Sequence, residues 1–260
     1  PYLPQPGAEV GGPIADNRTR PAPSTRYTPT DKRWADLQPF QVDANDLIKQ
    51  RVFTNRAGTE ATPFDILRTK VLLQMSQNGW KRLAITSPLP NTGKSTTACN
   101  LALSLARQPN LRSILLDLDL GGPSIFEFFN ATPPHSIGKM LMGEVDFAQQ
   151  ALRIGDNLAC SMAQDAEPDP TRLLLSDKTA EVINQIEADY QPDLMIFDLP
   201  SVLVNDETRA FLRNVDCALI IVRAEQTKYH QFDICEREVA EQTNVLGVVL
   251  NAAKKGAHSN

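Results

Sequence analysis

Residues 81–97 read KRLAITSPLPNTGKSTT. Arg82–Thr86 is an apolar strand candidate. It runs into a loop that closes on Gly93-Lys94-Ser95-Thr96, and the following TACNLALSLAR has apolar residues at helical spacing. A strand, a glycine-bearing loop and a helix in that order build an anion cradle. The loop's backbone N–H groups point inward, and the helix adds its positive end. The cradle residues are Asn91, Thr92, Gly93, Lys94, Ser95 and Thr96. Lys94 would reach the terminal phosphates of a nucleotide, and the Ser95 hydroxyl would ligate Mg²⁺. The full pattern G-x-x-x-x-G-K-[ST] starts on glycine, whereas this chain has Pro88. The plain alternative is a glycine turn before an ordinary helix with a solvated lysine.

The alternation continues downstream. Strand candidates at 113–118, within 152–162, and at 193–198, 216–223 and 245–250 are interleaved with helical patterns at 123–150, 176–189, 206–213 and 228–241. Strands this uniformly apolar are covered on both faces, which means a mostly parallel sheet with helices on both sides. The expected fold is therefore α/β, of the P-loop NTPase type. Pro63–Gln77 reads as an amphipathic helix with proline in its first turn. Residues 1–60 are expected to form a Pro-rich flexible segment, and 61–260 the nucleotide-binding domain. The early part is poor in large apolar groups and cannot offset its ordering entropy.

Composition narrows the function classes. A net charge of −5 gives no reason to expect a nucleic-acid partner. No apolar run approaches the roughly 18 residues that cross a bilayer, and no signal peptide is read. The chain starts with Pro1, which leaves room for a membrane part upstream. The four cysteines lack metal-type spacing and read as reduced, buried thiols of a cytoplasmic protein. His135, His230 and His258 form no ligand or triad pattern.

Two acidic strand ends complete the pattern. SILLDLDLGGP places Asp117 and Asp119 at a strand end, where alternation puts both on one face. Parallel sheets bind ligands beyond the carboxyl ends of their strands. Carboxylates there suit metal ligation and activation of an attacking hydroxyl. MIFDLPSV ends another strand in Asp198, with Pro200 expected to stop it. Such an acid can hold Mg²⁺ through water, opposite the loop serine.

With these elements in place, the chain resembles the bacterial tyrosine kinases of capsule and exopolysaccharide export from about Pro63 to Asn251. TSPLPNTGKSTTACNLALSLA resembles that family's first nucleotide motif and LLDLDLGGPS its acidic motif. DPTRLLLS resembles its N-P-x-x-L-L-x-S segment, and IFDLPSVLVND its D-x-P-P-x-x-x-x-D segment. The related MinD/ParA ATPases carry an extra loop lysine, which would fall at Leu89. The resemblance implies ATP and Mg²⁺ as ligands and phosphoryl transfer to tyrosine. It gives Lys94 the phosphates, and gives Ser95 and Asp119 the metal with Asp198 helping. Asp117 becomes the base, and Asn251 a candidate for adenine contact. It also implies a membrane polysaccharide co-polymerase as partner at the inner face of the membrane, and a homo-oligomer.

Three departures stand out. Gly121 replaces the arginine of the family's D-x-D-x-R. The oligomer-forming E-x-x-R-x-x-R maps to Thr62, Asp65 and Arg68, so only the last arginine survives and ring assembly by that helix is put in doubt. The C-terminal NAAKKGAHSN lacks the family's tyrosine cluster, leaving Tyr2, Tyr27, Tyr190 and Tyr229. Tyr27 is a candidate acceptor, whereas Tyr190 and Tyr229 are expected to pack against the domain. A nucleotide-dependent ATPase switch or adaptor is the alternative function.

Overall fold

Apolar strand runs bounded by loop residues pair into one central sheet, and the computed structural model describes residues 28–253. In chain order the elements are α1 (Pro29–Asp36), β1 (Gln38–Phe40), α2 (Ala44–Lys49), α3 (Thr62–Asn78), β2 (Arg82–Ser87), α4 (Lys94–Ala106) and β3 (Ser113–Asp117). Then come α5 (Ile125–Phe129), α6 (Ile137–Leu141), α7 (Phe147–Gln150), β4 (Leu152–Ile154), β5 (Leu158–Ser161), α8 (Pro170–Leu175) and α9 (Asp177–Tyr190). The last are β6 (Leu194–Ser201), α10 (Glu207–Leu212), β7 (Cys217–Arg223), α11 (Tyr229–Ala240) and β8 (Asn244–Asn251).

The sheet order is β1-β4-β5-β3-β6-β2-β7-β8. Every pairing is parallel except the β4–β5 hairpin. Alternation along β6 sends Met195, Phe197 and Leu199 to one buried layer, and Leu194 and Ile196 to the other. Both faces are thus apolar, as a sheet covered by helices requires. Truncating a fully buried residue such as Phe197 to alanine would cost about 3–5 kcal/mol.

Order begins well before residue 61. Thr28 and Asp31 form a capping box that starts α1. Trp34 is 2% exposed, and its Nε1–H donates to the Tyr190 carbonyl at 2.8 Å. The Arg112 guanidinium lies 5.5 Å from the Trp34 ring centre. Leu37, Leu47 and Val52 are also buried, and β1 pairs with β4 at the sheet edge. A flexible segment through residue 60 is therefore corrected for 28–60. Few large apolar groups suffice when Trp34, Leu37, Leu47 and Val52 all face inward. Residues 1–27, Tyr2 and Tyr27 among them, lie outside the described residues.

Other differences are local. β3 ends at Asp117, so Asp119 sits in the turn beyond it rather than on the strand. Pro200 does not stop β6, which runs on to Ser201. The β2–β6 register shifts between Ile85 and Ser87, and this irregularity accommodates a residue with no N–H. The freed Pro200 carbonyl accepts from the Thr86 and Thr208 hydroxyls, both at 2.7 Å. α3 is not one-sidedly apolar, because Ile66 and Leu73 face solvent. All four cysteines are free and buried, and burial pushes the Cys217 and Cys235 thiols up to about 12.

Candidate functional site

The loop between β2 and α4 takes its shape from two left-handed residues, Asn91 (φ 60°) and Gly93 (φ 92°). A Cβ on Gly93 would stand 2.2 Å from the Asn251 amide nitrogen, so glycine is demanded by packing as well as by φ. Asn251 Nδ2–H donates to the Thr92 carbonyl at 2.8 Å, and its Oδ1 accepts from the Ala252 N–H. Arg223 Nη1–H donates to the Asn91 carbonyl at 2.8 Å. Both ends of the Asn251 amide are thus engaged with backbone, and the ends of β7 and β8 brace the loop from one side. Pro88 sits where only backbone shape matters, and its carbonyl accepts from the Leu203 N–H. Thr96, in the first turn of α4, gives its carbonyl to Asn100.

Lys94, first residue of α4, pairs its ammonium with the Asp119 carboxylate. Burial alone would lower the Lys94 pKa, but Asp198, Asp119 and Asp117 outweigh it and hold the group above its ordinary value. Ser95 is 8% exposed. Its hydroxyl faces Asp198 and favours that carboxylate's charged form, without reaching hydrogen-bond geometry.

Asp117 and Asp198 lie directly opposite each other on β3 and β6, and both are fully buried. Asp117 accepts from the backbone N–H groups of Asp119 (3.3 Å), Ser124 (3.4 Å) and Ile125 (3.1 Å). Burial first, and then Asp198, push its pKa well up. Burial also raises Asp198, to about 6, against the pull of Lys94. Neither Asp198 oxygen has a hydrogen-bond partner among the described residues. Two carboxylates this close resist double ionisation.

The structure therefore brings Lys94, Ser95, Asp117, Asp119 and Asp198 together at the carboxyl edge of the sheet, and sets Asn251 against the loop. A buried, unpartnered carboxylate beside a serine hydroxyl suits a bound cation. Among the described residues no three acidic, imidazole or thiol groups form a metal cage by themselves. In a magnesium-type site one or two protein groups share the ion with phosphates and water.

A family model described as the CobQ/CobB/MinD/ParA nucleotide binding domain matches residues 83–260. The chain belongs to this family. Among its relatives is the tyrosine-protein kinase YwqD of Bacillus subtilis (strain 168), 26% identical over 208 residues, covering 79% of this chain and 86% of that protein. The putative tyrosine-protein kinase CapB of Staphylococcus aureus is 23% identical, covering 75% and 85%. The kinase domain of Escherichia coli tyrosine kinase ETK shares the fold with a TM-score of 0.71 at 21% identity, over 78% of this chain and 79% of that one. Cobyrinic acid a,c-diamide synthase from Mycobacterium smegmatis, solved with an ATP analog and magnesium, shares it at 0.56 and 18%, over 66% and 72%. The curated relatives are named as bacterial tyrosine-protein kinases.

Sequence reasoning missed one acidic residue here, Glu207, the first residue of α10. Burial raises its pKa, as does Asp119, while the Gly121 N–H and Lys94 oppose the rise. The only signal was its place directly after Asp206 in VLVNDE, next to a segment already singled out.

Proposed function

We propose that this chain binds ATP with Mg²⁺ and transfers the terminal phosphoryl group to a tyrosine hydroxyl, in the control of exopolysaccharide or capsule synthesis or export. The observation that carries this reading is the meeting of Lys94, Ser95 and the carboxylates of Asp117, Asp119 and Asp198 at one loop. The names of the relatives supply the acceptor class.

Lys94 releases Asp119 and takes the phosphates, a move open to a long side chain at a helix N-terminus. Asp119 and the Ser95 hydroxyl would hold the metal ion, with Asp198 behind them. Bound Mg²⁺ would neutralise charge developing on the phosphates. Asp117 receives the acceptor's proton, and its raised pKa suits that role. Asn251 keeps the loop in shape rather than reading the base.

Among the four tyrosines, Tyr190 is buried at 5% exposure beneath Trp34 and Phe147, which closes it to phosphorylation. Tyr229 was expected to pack, but it is 81% exposed at the start of α11, so it joins Tyr27 as a candidate acceptor. Arg68 is held within the chain by Asp65 and Ser104, so α3 offers no free arginine for a ring contact. Among the described residues no helix is long and apolar enough to cross a membrane. The partner in this reading is a membrane polysaccharide co-polymerase, which would hold the domain at the cytoplasmic face.

Incubation with labelled ATP and Mg²⁺, followed by phosphotyrosine detection on the chain and on an added tyrosine peptide, is expected to yield phosphotyrosine. Nucleotide hydrolysis with no phosphotyrosine would overturn the transfer and leave an ATPase switch.

A further inference from the structure

Glu207 is 7% exposed, and its carboxylate packs against the turn after β3, where the Gly122 N–H donates to the Asp119 carbonyl at 3.1 Å. A Cβ on Gly121 would stand only 3.1 Å from Glu207 Oε1. Glycine at 121 thus leaves the carboxylate room to sit close to the turn. Oε2 is buried with no hydrogen-bond partner among the described residues. The charged groups facing Glu207 are Asp119, from the turn, and Lys94, from α4. Lys94 is the cation of this cluster, and it already answers Asp119, Asp117 and Asp198.

A further carboxylate thus sits against the turn that carries Asp119, whose own carboxylate pairs with the Lys94 ammonium at the place where a polyphosphate would enter. In a water-poor site such charges are weakly screened. We propose that Glu207 is a specificity determinant of the nucleotide site, whose charge makes the cradle refuse the bare nucleotide anion and accept only the nucleotide carrying a divalent cation. This rests on the nucleotide-binding reading above. A metal ion that arrives with the phosphates cancels the excess negative charge which Glu207 brings. Without the ion, phosphate and carboxylates repel.

Titration calorimetry with ATP, once in EDTA and once in Mg²⁺, on the parent chain and on Glu207→Gln tests this without any turnover. The parent is expected to bind with Mg²⁺ and weakly without it. Glu207→Gln should bind metal-free ATP about tenfold more tightly. Its affinity for Mg²⁺–ATP should change little, so the ratio between the two conditions shrinks. An unchanged ratio in a folded Glu207→Gln protein would overturn the inference while leaving nucleotide binding intact. If the parent binds ATP in neither condition, the nucleotide reading itself fails, and this inference goes with it. Should Glu207→Gln melt early, Glu207→Ala removes the same charge and is held to the same ratio.

Discussion

Two carboxylates sit at opposite ends of α4 and are treated in opposite ways. Near its C-terminal end, Asp65 of α3 accepts from Arg68, from the Ser104 hydroxyl at 2.7 Å and from Arg107. Near its N-terminal end, Asp198 is fully buried beside Lys94 and Ser95, and accepts nothing. The first is a satisfied clamp between two helices. The second is a polar group left short of partners in a dry place, which costs stability unless a ligand completes it. Asp65 therefore marks structure, and Asp198 marks a site.

The comparison can be broken at several points. Lys94→Ala removes the cation that the carboxylates share, and should weaken Mg²⁺–ATP binding at least ~100-fold by calorimetry. Near-parental affinity would show that the N-terminal end of α4 is not where phosphate binds.

Asp198→Asn should also impair binding, yet stabilise the ligand-free fold. The folded-state pKa of Asp198 is raised to about 6 from 3.8. Protonation thus favours the folded state. The group's penalty is absent below about pH 4, grows towards pH 6 and is complete above that. Denaturant unfolding at pH 7.5 should show the variant more stable, by about 3 kcal/mol at most, since the attraction to Lys94 is already contained in the raised value. The gain should vanish at pH 4. A variant less stable than the parent at pH 7.5 would contradict the assignment.

Asp65→Ala should do the reverse. It should lower stability by about 1–2 kcal/mol by leaving Arg68 and Arg107 without their shared acceptor, with ATP affinity within about twofold of the parent. Thermal melts and calorimetry on the same preparation read both numbers. The smallest effect belongs to Asn251→Ala. Losing one brace on the Thr92 carbonyl should weaken ATP binding about threefold to tenfold, and should do so equally for GTP. A loss confined to ATP would mean that Asn251 reads adenine instead.

The same contrast explains what the sequence disclosed. The loop 88–96, its strand and its helix are contiguous, so short-range pattern was enough to place Lys94 and Ser95. Asp117 and Asp198 were legible because each follows an unbroken apolar run, although β6 itself continues past Asp198 to Ser201. Glu207 was not, because only the fold brings its carboxylate against the distant turn at Gly121. Trp34 was hidden for a similar reason. Its segment is polar on average, and its docking against Tyr190 joins distant parts of the chain. Pro200 misled because the register shift that tolerates it shows only in the pairing of β6 with β2.

The most direct measurement is a crystal structure of the complex with a non-hydrolysable ATP analogue and Mg²⁺. Lys94 Nζ is expected to leave Asp119 for the terminal phosphate, with the ion between the Ser95 hydroxyl and Asp119 and with Asp198 within one water of it. A nucleotide bound elsewhere, or a Lys94–Asp119 pair still closed with the ion far from Ser95, would contradict the convergence of these residues on one magnesium-bound triphosphate.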